Sequence, residues 1–234
     1  AAQADETCNS PYMTGLIKGQ EDYVHVWTLG VEGLGDGSDK LVTIDANPAS
    51  GSYGKVIDSL SVGGRGEAHH MGFTDDRRYL WAGGLDDSRI HVFDVGANPA
   101  KPRLVKTIDF AKQSGYVGPH TFYALPGRML IAGLSNAKDK GGATGLATYN
   151  NSGKLIAKHD MPTADVGGVK GDGYGYDIAI NPGKNAMLTS SFTGYKNYMR
   201  PLGELIKDGD AMKNFGSTMV LWDLKAMKPQ QVFA

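Results

Sequence analysis

"HHMGFTDDRRYLWAGGLDDSRIHVFDVGANPAKPRLVKTIDF", residues 69–110, and "HTFYALPGRMLIAGLSNAKDKGGATGLATYNNSGKLIAKHDM", residues 120–161, are two copies of one pattern. Each holds a short strand, a tight turn (Asp75-Asp76, Pro126-Gly127), an apolar strand, a strand ending in Asp or Asn, and a fourth strand. A third copy starts at Tyr176 with "YDIAINPGKNAMLTSSF", turns at Pro182-Gly183, and resumes after an insertion at Ser217 as "STMVLWDLKAMKPQQVFA". The marker residues closing the third strands are Asp94, Asn150 and Asp223. An earlier copy, "DYVHVWTLG", "DKLVTIDAN" and "YGKVIDSL", has its marker at Asp45 and lacks an obvious first strand.

Repeated four-stranded antiparallel units of about 40–50 residues are the sequence signature of a β-propeller. The runs agree with it: Arg89–Val95 (RIHVFDV) and Thr218–Leu224 (TMVLWDL) are β-branched, aromatic and of strand length, with no helical spacing. The expected fold is all-β, one propeller domain over residues 1–234, with blades at roughly 21–62, 67–110, 118–162 and 174–234. Only residues 198–214, "YMRPLGELIKDGDAMKN", carry helical spacing, which predicts a short surface helix inserted in the last unit. Bare strand edges and an uncovered blade face seek partners. The chain therefore reads as the front part of a larger ring, closed by a missing C-terminal half or by another chain, with a homo-oligomer as one route.

Outside the repeat, composition excludes more than it assigns. The 24 basic and 25 acidic residues balance without a basic stripe, so neither nucleic acid nor an anionic membrane surface is an expected partner. No run approaches the roughly 18 apolar residues of a membrane span. The 33 glycines, scattered between short apolar runs, mark many turns and so many short strands. The opening "AAQADET" has the small polar character left by signal-peptidase cleavage and predicts export. A single cysteine, Cys8, rules out an intrachain disulfide and any CxxC motif.

The repeat bears directly on the histidines. His70 precedes Leu80 by ten residues and His120 precedes Leu130 by ten, which makes them equivalent positions at the mouth of the first strand of neighbouring blades. Equivalent positions ring the propeller axis, where imidazoles can share one ion about 2 Å from each nitrogen. Tyr176 or Asp177 stands at the matching place in the next unit. Strand neighbours point to opposite faces, so His69 joins the group only if the backbone is irregular there. His25, His91 and His159 fall on outer strands and read as structural or exposed. Imidazole donors suit zinc, copper, iron or nickel. There is no G-x-S-x-G elbow, phosphate loop or H-E-x-x-H pair, and the glycine-rich stretches 33–39 and 166–177 read as turns.

The stretches "EAHHMGF" (67–73), "GPHTFYAL" (118–125), "GYGYD" (173–177) and "STMVLWDL" (217–224), with "CNSPYM" (8–13) ahead of them, resemble the methanethiol oxidase and selenium-binding protein family. The resemblance covers essentially the whole chain and the first half of the family's length. It implies a seven-bladed propeller, of which about four blades lie here. It also implies periplasmic, copper-dependent oxidation of methanethiol by oxygen and water to formaldehyde, hydrogen sulfide and hydrogen peroxide. His69, His70 and His120 fall on the family's histidine motifs and Cys8 on its N-terminal cysteine. Some animal members place a selenium-holding cysteine after the tyrosine matching Tyr53; here Gly54 follows it. Asp177, Glu67 and Tyr176 are the candidate catalytic side chains: Asp177 or Glu67 as proton acceptor, Tyr176 as a redox-active or orienting phenol, with Glu67 alternatively the partner that fixes an imidazole tautomer. A selenium- or metal-binding propeller without turnover is the alternative reading.

Overall fold

The computed structural model describes residues 10–13, 16 and 19–234. It is all-β and antiparallel, with four sheets following one another along the chain. Sheet 1 holds β1 (Tyr23–Thr28), β2 (Lys40–Asp45) and β3 (Val56–Ser61). Sheet 2 holds β4 (Ala68–Phe73), β5 (Tyr79–Gly84), β6 (Arg89–Asp94) and β7 (Arg103–Asp109). After the single-turn helix α1 (Phe110–Ser114), sheet 3 holds β8 (Tyr116–Leu125), β9 (Arg128–Asn136), β10 (Gly145–Asn150) and β11 (Leu155–Asp160). A small hairpin, β12 (Asp165–Val166) and β13 (Val169–Lys170), leads to sheet 4: β14 (Ile178–Asn181), β15 (Ala186–Ser190), β16 (Met219–Asp223) and β17 (Lys228–Phe233).

Each sheet is a meander in which consecutive strands pair. The markers explain themselves as caps of the turn after each third strand. Asp94 Oδ1 accepts from Ala97 N (3.0 Å), Asn150 Oδ1 from Lys154 N (2.9 Å), Asp223 Oδ1 from Ala226 N (2.8 Å) and Asp45 Oδ1 from Asn47 N (2.9 Å). Short polar side chains that close a turn onto their own backbone are what such positions select. Just before every marker the ladder to the outer strand slips, at Thr43/Ile44, Val92/Phe93, Thr148/Tyr149 and Leu221/Trp222. A bulge repeated at one place bends each outer strand alike and adds twist.

The sheets stack face to face through three apolar layers. Trp27 and Leu41 of sheet 1 meet Leu80, Ala82 and Phe93 of sheet 2. Trp81, Ile90 and Val92 meet Phe122, Met129 and Tyr149 of sheet 3, and Tyr123, Leu130 and Leu146 meet Ile180, Met187 and Trp222 of sheet 4. Strands covered on both faces, such as β8, are buried at every residue, whereas outer strands such as β11 alternate. At Gly72 a Cβ would come within 2.4 Å of the Phe122 carbonyl oxygen, so glycine there lets β4 and β8 approach backbone to backbone.

Two local expectations are corrected. Residues 198–214 do not form one helix: the insertion between β15 and β16 carries three single turns, α2 (Tyr195–Tyr198), α3 (Leu202–Leu205) and α4 (Gly209–Met212). Pro201, without a backbone N–H, stands ahead of α3, and Asp208, in extended backbone, caps α4 by accepting from Asp210 N and Ala211 N, so each turn starts anew. The glycine-rich stretch 166–177 is not all turn either, since Gly167 and Gly168, at φ 69° and 90°, close the β12–β13 hairpin.

Candidate metal centre

Glu67 enters β4 in the left-handed region, at φ 63°. Ala68 then faces Gly84 and Met71 faces Ala82, so His69 and His70 together lie opposite Gly83 alone. The same bulge recurs in β8, where Pro119 faces Gly133 and Phe122 faces Ile131, leaving His120 and Thr121 opposite Ala132. A bulge suspends strict alternation, which is how adjacent histidines converge.

The bulges also correct the equivalence expected from spacing. The counterpart of His120 is His69, and that of His70 is Thr121. Counting back from the apolar strand misleads because Phe73 pairs with Leu80, seven residues on, whereas Ala124 pairs with Met129, five residues on. The β4–β5 turn is two residues longer, and matching Leu80 to Leu130 instead of to its counterpart Met129 takes up one of them, so the histidine match lands one residue astray. Tyr176 and Asp177, which precede Ile178 as these pairs precede Met71 and Phe122, continue the series in sheet 4.

The three imidazoles meet. Ring centroids are 4.7 Å apart for His69 and His70, 5.0 Å for His69 and His120, and 4.2 Å for His70 and His120. One ring nitrogen from each lies within 4.8 Å of the others. His120 is buried, His70 half-buried and His69 exposed, so the group opens on the His69 side. Loss of water around a ring disfavours the imidazolium: burial lowers His120 to about 2, and at His69, exposed along one side only, the part of the ring packed against its neighbours is desolvated enough to lower it to about 4, in each case with a neighbouring histidine adding to the shift. His70 is lowered by burial and partly restored by Asp177. At neutral pH all three rings are uncharged and offer lone pairs.

Thr121, which sequence reasoning passed over, fixes the His120 tautomer. Its hydroxyl donates to Asp177 Oδ1 at 2.6 Å, with the Tyr176 carbonyl at 3.3 Å as the other acceptor. His120 Nδ1 lies 3.2 Å from the same hydroxyl oxygen and must therefore be the N–H that donates to it. The Nε2 lone pair is left buried without a hydrogen-bond partner. A buried, unpaired imidazole nitrogen is costly, and a carboxylate acting through an intermediary on the far ring nitrogen is the usual support of a metal-binding histidine. The signal was present in sequence: Thr121 occupies the His70 position of its own sheet.

The other candidates separate. Asp177 also accepts from Ile178 N (2.8 Å), which makes it the anchor of this network. The Tyr176 ring covers His120 at 4.2 Å. Glu67 lies with Asp86 and Asp39; burial first, then these carboxylates, raise its pKa, with Arg65 opposing. Cys8 lies outside the described residues. His91 is buried and 3.3 Å from Thr107 Oγ1, and His25 is 3.2 Å from Thr43 Oγ1; both sit on the sheets away from the cluster.

The sequence model of the 56kDa selenium binding protein family, SBP56, matches residues 2–234. The chain belongs to this family. A methanethiol oxidase of Hyphomicrobium sp is 66% identical over 230 residues, 98% of this chain and 52% of that protein. A methanethiol oxidase of Ruegeria pomeroyi is 58% identical over 99% of this chain and 55% of its own length. The chain thus spans about half the length of the curated relatives it matches. A solved structure of a hypothetical selenium-binding protein from Sulfolobus tokodaii superimposes with a TM-score of 0.78 at 22% identity, over 96% of this chain and 52% of that one, and so shares the fold. The resemblance read from the motifs at 67–73, 118–125 and 173–177 is borne out at the family level.

Proposed function

We propose that this chain carries the histidine cluster of a periplasmic, copper-dependent methanethiol oxidase, acting in a seven-bladed propeller whose remaining blades come from outside the 234 residues. In the reaction, methanethiol, oxygen and water, one molecule of each, give one molecule each of formaldehyde, hydrogen sulfide and hydrogen peroxide. The observation that carries this reading is the convergence of three neutral imidazoles on a buried, unpartnered Nε2; the names of the close relatives supply the substrate.

The donor set fits copper: imidazoles in their neutral form, one with its tautomer fixed, suit a borderline to soft first-row ion. Bound copper would supply a soft Lewis acid for a thiolate and a one-electron couple for oxygen. The protein's share is positional and protonic. Asp177 and Thr121 hold His120, Tyr176 shields its buried face, and His69 lies on the open side by which a small thiol arrives. Glu67, with its raised pKa, is the group suited to accept the proton lost from the methyl carbon. The non-catalytic selenium-binding alternative has less support, because Gly54, at φ 74° in open space beside exposed Tyr53, offers no thiol.

The test is metal analysis with turnover. Full-length protein should retain copper and, with methanethiol, consume oxygen while releasing sulfide and peroxide. Copper-loaded protein that takes up no oxygen with this substrate refutes the oxidase reading.

A further inference from the structure

The insertion between β15 and β16 does more than decorate sheet 4. It crosses the histidine end of two other sheets. Tyr195 N donates to the Lys140 carbonyl (3.0 Å) and to Ser135 Oγ (2.8 Å) of the sheet 3 region, and the Tyr195 hydroxyl donates to Asp86, just past β5 of sheet 2. Tyr198 lies over β8, where a Cβ on Gly118 would come within 2.7 Å of its phenol oxygen. Through this crossing a line of aromatic rings runs outward from the buried ligand. Centroid separations are 4.2 Å from His120 to Tyr176, 4.7 Å to Phe192, 6.3 Å to Tyr198 and 5.3 Å to Tyr195. At its outer end a phenol points at the exposed Asp86 carboxylate.

We infer that Tyr195 and Asp86 form a redox-active tyrosine–carboxylate pair, through which oxidising equivalents left at the histidine cluster by hydrogen peroxide are drained to the surface. The inference rests on the oxidase reading for its peroxide and its copper. A phenol loses an electron at an accessible potential only if its proton leaves too, and a hydrogen-bonded carboxylate is the acceptor that permits this. Each event breaks the Tyr195 O–H bond: the electron crosses Tyr198, Phe192 and Tyr176 to the cluster, and the proton passes to Asp86. Phe192 is a bridge and is not itself oxidised. Two events, with the two protons returned through solvent, reduce one hydrogen peroxide to two water molecules. A one-electron donor of the enediol class at the surface gives a hydrogen atom back to the tyrosyl radical each time.

Two further contacts fit this role. Lys140 Nζ lies 3.9 Å above the Tyr195 ring, and a cation there makes electron removal harder, which reserves the pair for an oxidant as strong as peroxide. Burial, followed by the Asp86 hydrogen bond, pushes the Tyr195 pKa up to about 12, so the phenol carries its proton until it is oxidised.

The experiment adds hydrogen peroxide to full-length, copper-loaded protein without methanethiol, freezes it and records the electron paramagnetic resonance spectrum, with copper content and methanethiol turnover measured on the same samples. A tyrosyl signal is expected in the parent, background in Tyr195→Phe, and slowed formation in Asp86→Asn, which keeps a hydrogen-bond acceptor but cannot take the proton. Tyr195→Phe should keep its copper and its methanethiol oxidation. An unchanged signal in Tyr195→Phe, or none in a parent that oxidises methanethiol, overturns the inference. A protein that holds copper and gives the Tyr195-dependent signal but oxidises no methanethiol supports the pair and sinks the oxidase reading. A protein that retains no copper overturns both.

Discussion

At the scale of single residues, the candidate site depends on protonation as much as on position. His120 offers a metal its Nε2 because Thr121 and Asp177 occupy its Nδ1 side. His120→Ala should therefore abolish copper retention in the purified protein. Thr121→Val, nearly the same shape, should weaken copper binding about 10–100-fold, the usual cost of losing a group that orients a ligand. His91→Ala, by contrast, should leave copper content intact while lowering stability, since it removes a buried ring packed on Trp27 at 5.7 Å. Chelator competition on the three variants decides; equal affinities would show that the ligands lie elsewhere. The two neighbouring histidines were visible in sequence, but their partner was misaligned by one residue, because turn length between β4 and β5 is not encoded in the spacing of apolar residues.

Among the strands and turns, the recurring device is the bulge. One set, just before each marker, shapes the outer strands; another, in β4 and β8, gathers the histidines. Both sets work only while neighbouring sheets stay close. Gly72→Ala puts a methyl group 2.4 Å from the Phe122 carbonyl oxygen, where backbone must give way. It should cost ~1–3 kcal/mol, as overpacking usually does, and should loosen copper binding as well, because β4 and β8 carry all three histidines. Denaturant unfolding and chelator titration together test this; a loss of stability without loss of metal affinity would mean that the bulges hold their geometry independently. The strands were legible because β-branched and aromatic runs of strand length, tight turns and marker residues recur from copy to copy. The insertion was not, because the apolar spacing runs on through Pro201 and the Asp208 cap, where the backbone leaves the helix and begins a new turn.

For the whole molecule, stability rests on layers between sheets, and its pH dependence follows from what those layers bury. Trp81, fully buried between sheets 2 and 3, is expected to cost ~3–5 kcal/mol when replaced by alanine, read from the midpoint of denaturant unfolding. All six histidines have pKa values lowered from 6.5, chiefly by burial. The unfolded chain therefore binds more protons than the folded one as pH falls below the unfolded value. The sign follows: their contribution is fully present above about pH 6.5 and is lost progressively on acidification through the folded values, that of His69 being about 4. Carboxylates held low by hydrogen bonds, such as Glu21 with Arg77, act in the same direction at still lower pH. Metal-free protein should thus lose stability steadily from pH 6.5 downward, and His91→Asn should flatten that slope. A flat profile between pH 7 and 5 would contradict the burial of the imidazoles.

The sequence by itself determined the repeat, the all-β class, the residues available to bind a metal and, through its motifs, the family. These are properties of local pattern: strand-length runs, turn chemistry and residue type are written one position at a time. Only the tertiary structure decided that His69, not His70, matches His120, that Thr121 and Asp177 set the tautomer, and that an insertion from sheet 4 reaches Asp86 beside sheet 2. Those facts depend on bulges, turn lengths and contacts between sheets, where one residue of slip turns a side chain away from its partner and no local rule records which way the slip goes.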